Sequence, residues 1–385
     1  IVLTGDNVEV TRCVCEKVGI KSKQIVTGSQ IDKLADQGVK RLLKKTNIFA
    51  KLSPIQKARI VRLLRDGGNV VGKGYNIEYT KMMIEGLIKA NIKTIEMGNY
   101  VGIGMWKSQG DAAPATDVEY LEAVQPYINQ AEIGMFCGWK NGTEENIALA
   151  AKYGLNFLRI GANAGDGAMA VEAIKRVKAA GLVCRYSMMK AYVLTADEAA
   201  EEAAMVAAAG LDEITIMDSA GTMTPDQVKE YTAKMVAKVN IPVAFHGHNN
   251  LGLSVANALA AYESGAQVFD CGMLGMARSA GNCATELAAA AFQRRGLLQD
   301  VDLNALLEFE DTILIPAMDK YNYHVAVKPL DLVLGVSGAH SSFTNTFKEV
   351  AAEKNVSLYK LIQKTSLINR KNPTRELMEE VAACI

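Results

Sequence analysis

The chain has four histidines, and two of them fall in one short run, Phe245-His246-Gly247-His248-Asn249-Asn250. The residues before it are apolar enough for a strand, in which positions i and i+2 share a face. Both imidazoles then point the same way, and two histidines on one side supply most of a divalent-metal site. The plainer alternative is a polar pair satisfied by backbone groups. A third ligand is needed, preferably a carboxylate, and Leu64-Arg65-Asp66-Gly67-Gly68 offers Asp66. Arg65 beside it would bring a fixed positive charge into the same cup. A cation and an arginine together suit a 2-oxo acid, held through its carboxylate and carbonyl, and the enolate formed from it. An arginine in such a turn is by itself weak ground, because most are solvated; paired with His-Gly-His it defines a chemistry.

These residues are far apart in sequence and need a scaffold that converges them. Apolar runs at 93–98, 131–138, 155–163, 182–189, 212–221, 241–249 and 266–276 read as strands. Amphipathic stretches alternate with them, among them 76–91, 143–154, 167–181 and 196–210, each closed by a Gly or Asn stop. Short strands alternating with helices imply parallel pairing through right-handed crossovers. An eighth strand at 58–65, just before LRDGG, would complete a (β/α)8 TIM barrel over 61–298, with its site at the C-terminal ends of the strands. A doubly wound open sheet is the alternative. It would gather polar residues at one switch point, whereas here they end nearly every strand. From 299 to 385 the pattern turns helical: DLNALLEFEDTILIPAMDKY, SSFTNTFKEVAAEKN, SLYKLIQKTS and NPTRELMEEVAACI.

Composition narrows the partners. Lys+Arg and Asp+Glu both number 42, so there is no basic field for nucleic acid and no acidic tail. No apolar run approaches the ~20 residues that span a bilayer. Seven cysteines without CxxC spacing point to reduced thiols in a cytoplasmic setting. The opening Ile1, within an apolar run, reads as the start of a fragment.

The first sixty residues read differently. IVLTGDN suggests a strand and turn, and VEVTRCVCEKVGI a helix that stops at Gly19. SPIQKARIVRLLRDGG suggests a second helix, with Ser53 as N-cap and Pro54 in the first turn. LTGDN, VTGSQIDKL and FAKLSPIQKARIV together resemble the phosphorylation domain of P-type, magnesium-transporting ATPases. The resemblance implies phosphoryl-site roles for Asp6 and Lys57. The phosphorylated Asp of DKTGT and the GDGxND metal loop of that family are both missing, which leaves phosphoryl transfer almost nothing to work with. Residues 1–60 are expected to be a non-functional remnant.

From about residue 62 onward the chain resembles the HMG-CoA lyase-like metal-dependent aldolases and acyltransferases. The motifs are LRDGG, DSAGTMTPDQV, FHGHNNLGLSVANALAA and GMARSAGNCATEL, with LDLVLGVSGAHSSF in the helical region. The nearer branch is that of the 4-hydroxy-2-oxovalerate aldolases. The resemblance implies Asp66, His246 and His248 as ligands of Mn2+ or Mg2+, and Arg65 as enolate stabiliser. The reaction it implies is retro-aldol cleavage of a 4-hydroxy-2-oxo acid to pyruvate and an aldehyde. It further implies a homo-oligomer and an acetaldehyde dehydrogenase partner docked on the helical region. The condensing relatives that use acyl-CoA and a 2-oxo acid carry Glu after Arg-Asp, where this chain has Gly67.

Three departures from that branch bear on substrate. Asn69 stands where the aldolases have a histidine base, and an amide cannot act as a base near neutral pH. His340 stands where they have Tyr, and its ordinary pKa of about 6.5 would let it take over that role. Lys190 replaces a Ser in a strand-end loop; it could form a Schiff base, but binding a carboxylate or simple solvation is the milder reading. A catalytically inactive fusion acting as a binding scaffold is the competing class. LRDxGxVVG occurs in both families, so IVRLL carries helical punctuation from one and strand duty from the other, and the barrel needs the strand.

Overall fold

In the computed structural model the described residues are 2–4, 6–17, 25–34, 39, 42, 46, 48–53, 56, 74–108, 111–277, 280–319, 329–337, 339, 343–369 and 373–385. They form two compact units, residues 1–69 and 70–385.

In the first unit, β1 (Val2–Leu3), β2 (Ile25–Thr27) and β3 (Ile48–Ala50) form a parallel sheet in the order β1-β3-β2. The expected first strand and helix are present, the helix as α1 (Val8–Lys17). A short α2 (Gly28–Asp32) follows β2. Val26, Ile31, Val39, Phe49 and Leu52 bury a small core, which β2 and β3 complete although three-residue strands leave no readable period. Asp6 accepts a hydrogen bond from Thr4 Oγ1 at 2.6 Å. Ser53 Oγ accepts from the Gln56 N–H at 3.2 Å, the N-cap bond that its position suggests. Lys57 and the remainder of that helix lie outside the described residues.

The second unit is built on seven parallel strands. After α3 (Ile77–Lys89) come β4 (Thr94–Met97), a small hairpin of β5 (Lys107–Ser108) and β6 (Asp111–Ala112), then α4 (Asp117–Val124) and β7 (Glu132–Gly138). The series continues with α5 (Glu144–Lys152), β8 (Phe157–Asn163), α6 (Gly167–Ala179), β9 (Val183–Met189) and α7 (Ala196–Ala207). It ends with β10 (Glu213–Asp218), α8 (Pro225–Lys238), β11 (Val243–Gly247), α9 (Ser254–Glu263), β12 (Val268–Asp270) and α10 (Thr285–Gln293). The sheet order β4-β7-β8-β9-β10-β11-β12 follows the chain, as in a TIM barrel, and not the reversal of a doubly wound sheet. The expected eighth strand at 58–65 lies outside the described residues.

Sequence decides which strand face goes where. Ile95, Ile133, Leu158, Cys184, Ile214 and Phe245 share the outer face and are buried in one large core with the helices. Helix starts are set by caps: Asn76, Thr116, Thr143 and Thr195 each accept a backbone N–H three residues on. β12 is shorter than the run at 266–276 suggested, because Met273–Gly275 curls into a 3-10 turn with Leu274 at φ 54°.

The C-terminal helices are α11 (Leu303–Phe309), α12 (Ile315–Asp319), α13 (Pro329–Ser337), α14 (Thr344–Lys354), α15 (Leu358–Ile368) and α16 (Arg375–Ala382). Leu307, Val333, Phe347, Leu361 and Met378 are buried together in their core. The stretch DLNALLEFEDTILIPAMDKY is interrupted by a π turn, Glu310–Leu314. Pro316 has no N–H to give the Thr312 carbonyl, so the α register cannot run through unbroken. The wider turn keeps Glu310 fully buried, near the equally buried Glu286 of α10. Burial, with Glu286 beside it, pushes the Glu310 carboxyl up to about 10.

Candidate active site

The inner strand face is as ionic as the outer one is apolar. Cα register aligns Phe136 with Arg159, Arg159 with Arg185, Arg185 with Glu213, and His246 with Asp270. Arg159 on β8 is the hub. Its Nε lies 2.6 Å from Glu96 Oε2 on β4, and its Nη1 donates to Asp270 Oδ2 on β12. The same Asp270 oxygen is 3.0 Å from Nδ1 of His246 on β11. A second group lies alongside, with Arg185 Nη2 2.8 Å from Glu132 Oε2 and Arg185 Nε 3.5 Å from Glu213 Oε2.

Burial competes with neighbouring charges over the protonation of this cluster. It would raise the Asp270 carboxyl, but Arg159 and His246 more than offset it and hold the group well below the usual carboxylate range. Burial likewise opposes the charge of Arg159, and Asp270 and Glu96 restore it. Glu96 is raised, since its own burial outweighs Arg159. The Arg159–Asp270 pair presents a carboxylate oxygen to His246.

His246 and His248 are both buried, with ring centroids 5.3 Å apart and planes at 69°. Neighbouring turns fix them. The Asp218 carboxylate at the end of β10 accepts from the N–H groups of Thr222 (3.0 Å) and Met223 (2.9 Å), closing the DSAGTM turn. Gly221 in that turn has φ +59°, and a Cβ there would meet Asn250 N and His248 O at 2.6 Å. His248 N donates to Asp218 O at 3.1 Å. On the other side, Asn249 N donates to Gly281 O at 2.9 Å and Cys283 N to Gly247 O at 2.8 Å. The Gly-Asn-Cys segment thus lies against the His-Gly-His segment, with His248 bridged to Asn282. Asn249 Oδ1 accepts from Ser254 Oγ at 2.8 Å and helps start α9.

Of the residues that the sequence nominates, His246 and His248 come together as expected. Lys190 sits just past β9, exposed, with φ 58°, its N–H donating to Ser219 Oγ at 3.0 Å. Arg65, Asp66, Asn69 and His340 lie outside the described residues. Among the described residues no three His, Cys, Asp or Glu side chains form a metal-holding group. The two imidazoles nonetheless fit a divalent ion as donors. A histidine whose Nδ1 faces a carboxylate turns its Nε2 into a ligand, a common arrangement behind metal-bound imidazoles. Sequence reading missed Glu96, Arg159 and Asp270. The available signal was a charge inside each of three apolar strands, on the same face by period two.

Comparison with known proteins accords with this fold. The HMGL-like family model matches residues 60–313. The chain is 31% identical over 290 residues to 4-hydroxy-2-oxovalerate aldolase 2 of Nocardia farcinica, covering 75% of this chain and 83% of the relative. It is 29% identical over 303 residues to oxaloacetate decarboxylase of Mycobacterium tuberculosis, covering 79% and 89%. The crystal structure of HMG-CoA lyase from Brucella melitensis superimposes with a TM-score of 0.54 at 18% identity, over 66% of this chain and 95% of that one. A TIM-type barrel whose inner face carries paired histidines beside an arginine–carboxylate pair defines the class, and the chain belongs to the HMGL-like family.

Proposed function

We propose that the barrel region, 61–298, is a divalent-metal-dependent carbon–carbon lyase that cleaves a 4-hydroxy-2-oxo acid, such as 4-hydroxy-2-oxovalerate, to pyruvate and an aldehyde. The observation that carries this reading is the buried His246–His248 pair on the inner face, with Asp270 against one ring. The likeness to aldolases supports it. His246, His248 and Asp66 would hold Mn2+ or Mg2+. The ion supplies Lewis acidity toward the 2-oxo group when bound. Arg65 stabilises the negative charge that develops on the C2 oxygen as the C3–C4 bond breaks. His340 accepts the proton of the 4-hydroxyl, Asn69 contacts the substrate, and Lys190 receives its carboxylate. The aldehyde leaves, and the pyruvate enolate takes a proton at C3. A dehydrogenase partner for the aldehyde would dock on the helical region, where Leu367 and Ile368 are 87% and 66% exposed at the end of α15.

A second reading is decarboxylation of oxaloacetate through the same enolate. It needs no base for a 4-hydroxyl, which suits Asn69, and one relative is named for that activity. The test is pyruvate release from each substrate with Mn2+, compared with His246→Ala and with Mn2+ alone. Release from the hydroxy acid that persists in chelator rules out the proposal; release from oxaloacetate only replaces it with the second reading.

A further inference from the structure

We infer that Asp270, clamped by Arg159, is the positioning residue that sets the tautomer of His246. This rests on the metal-binding reading above and adds to it a part of the molecule that is not itself a ligand. Asp270 and His246 face one another across β11 and β12, in register, with Oδ2 3.0 Å from Nδ1. Arg159 donates to that same oxygen, which faces both the guanidinium and the ring as an acceptor. The proton between ring and carboxylate therefore belongs to Nδ1, and Nε2 keeps its lone pair. Arg159 is in turn fixed by Glu96 at 2.6 Å, so four side chains on β4, β8, β12 and β11 form one chain of contacts. A carboxylate anchored on one side and aimed at the ring on the other fixes both tautomer and ring plane, and such groups are worth about 10- to 100-fold in metal affinity.

The full chain without metal, labelled with 15N at histidine, tests this at a pH where imidazole is neutral. The His246 resonances, assigned through His246→Gln, should show a proton on Nδ1. A proton on Nε2 overturns the inference, whatever becomes of any variant. Asp270→Asn should weaken Mn2+ binding, read by electron paramagnetic resonance, by about 10- to 100-fold and mix the two tautomers. Equal Mn2+ affinity and an unchanged tautomer in Asp270→Asn overturn the inference while leaving the metal reading intact. Absence of Mn2+ binding in the unaltered chain removes the metal reading, and this inference with it.

Discussion

At the residue scale, the histidine pair was legible because its evidence is local: a strand fixes the shared face of i and i+2 whatever the rest of the chain does. Arg159 and Asp270 were illegible for the opposite reason. Each is one charge in an apolar run, and only the register of three strands shows that they meet. The lysine just past β9 remains open to test. If Lys190 receives the substrate carboxylate, Lys190→Ala should raise KM for the 2-oxo acid by about tenfold, the loss of roughly one charge-assisted hydrogen bond, and leave kcat nearly unchanged. Borohydride added with substrate should leave the intact chain unmodified and active; inactivation with a mass increase would instead establish a Schiff base.

At the element scale, the sheet strands β4 and β7 to β11 and the helices between them were readable because period and caps agree, while the short β5–β6 hairpin was not. Tertiary contacts decide the finer detail: a left-handed Leu274 follows a β12 shorter than its apolar run, and Pro316 breaks the register within the first C-terminal helical stretch. The DSAGTM turn is the element on which the second histidine rests. Gly221→Ala would put a methyl against the His248 carbonyl in a backbone region unfriendly to side chains. It should lower stability by ~1–3 kcal/mol in urea titration, and weaken Mn2+ binding besides. A variant as stable as the parent would show that the turn can relax without disturbing the pair.

For the whole molecule, Glu310 beneath the C-terminal helices imposes a pH dependence. Its folded-state pKa, about 10, stands above the ordinary 4.5. In the unfolded chain the group loses its proton above 4.5, whereas the fold retains it until about 10, so stability falls as pH rises across that window. Glu310→Gln should therefore raise the urea midpoint at pH 8, with the gain shrinking toward pH 5. A gain of equal size at both pH values would assign the effect to packing. The motifs change near residue 60, whereas the compact units divide between residues 69 and 70, and the expected strand at 58–65 lies outside the described residues.

One further consequence follows from the stitching of Gly281–Cys283 onto the His-Gly-His segment. Segments more than thirty positions apart share one antiparallel bridge there, so spacing matters as much as chemistry. Adding or deleting one residue between Gly275 and Gly281 would shift the rung opposite His248 and swing its neighbour outward. Length variation among natural or engineered versions should thus be absorbed elsewhere along the rim, and shuffled chimeras that cut between these two segments should lose metal uptake even when every ligand is retained.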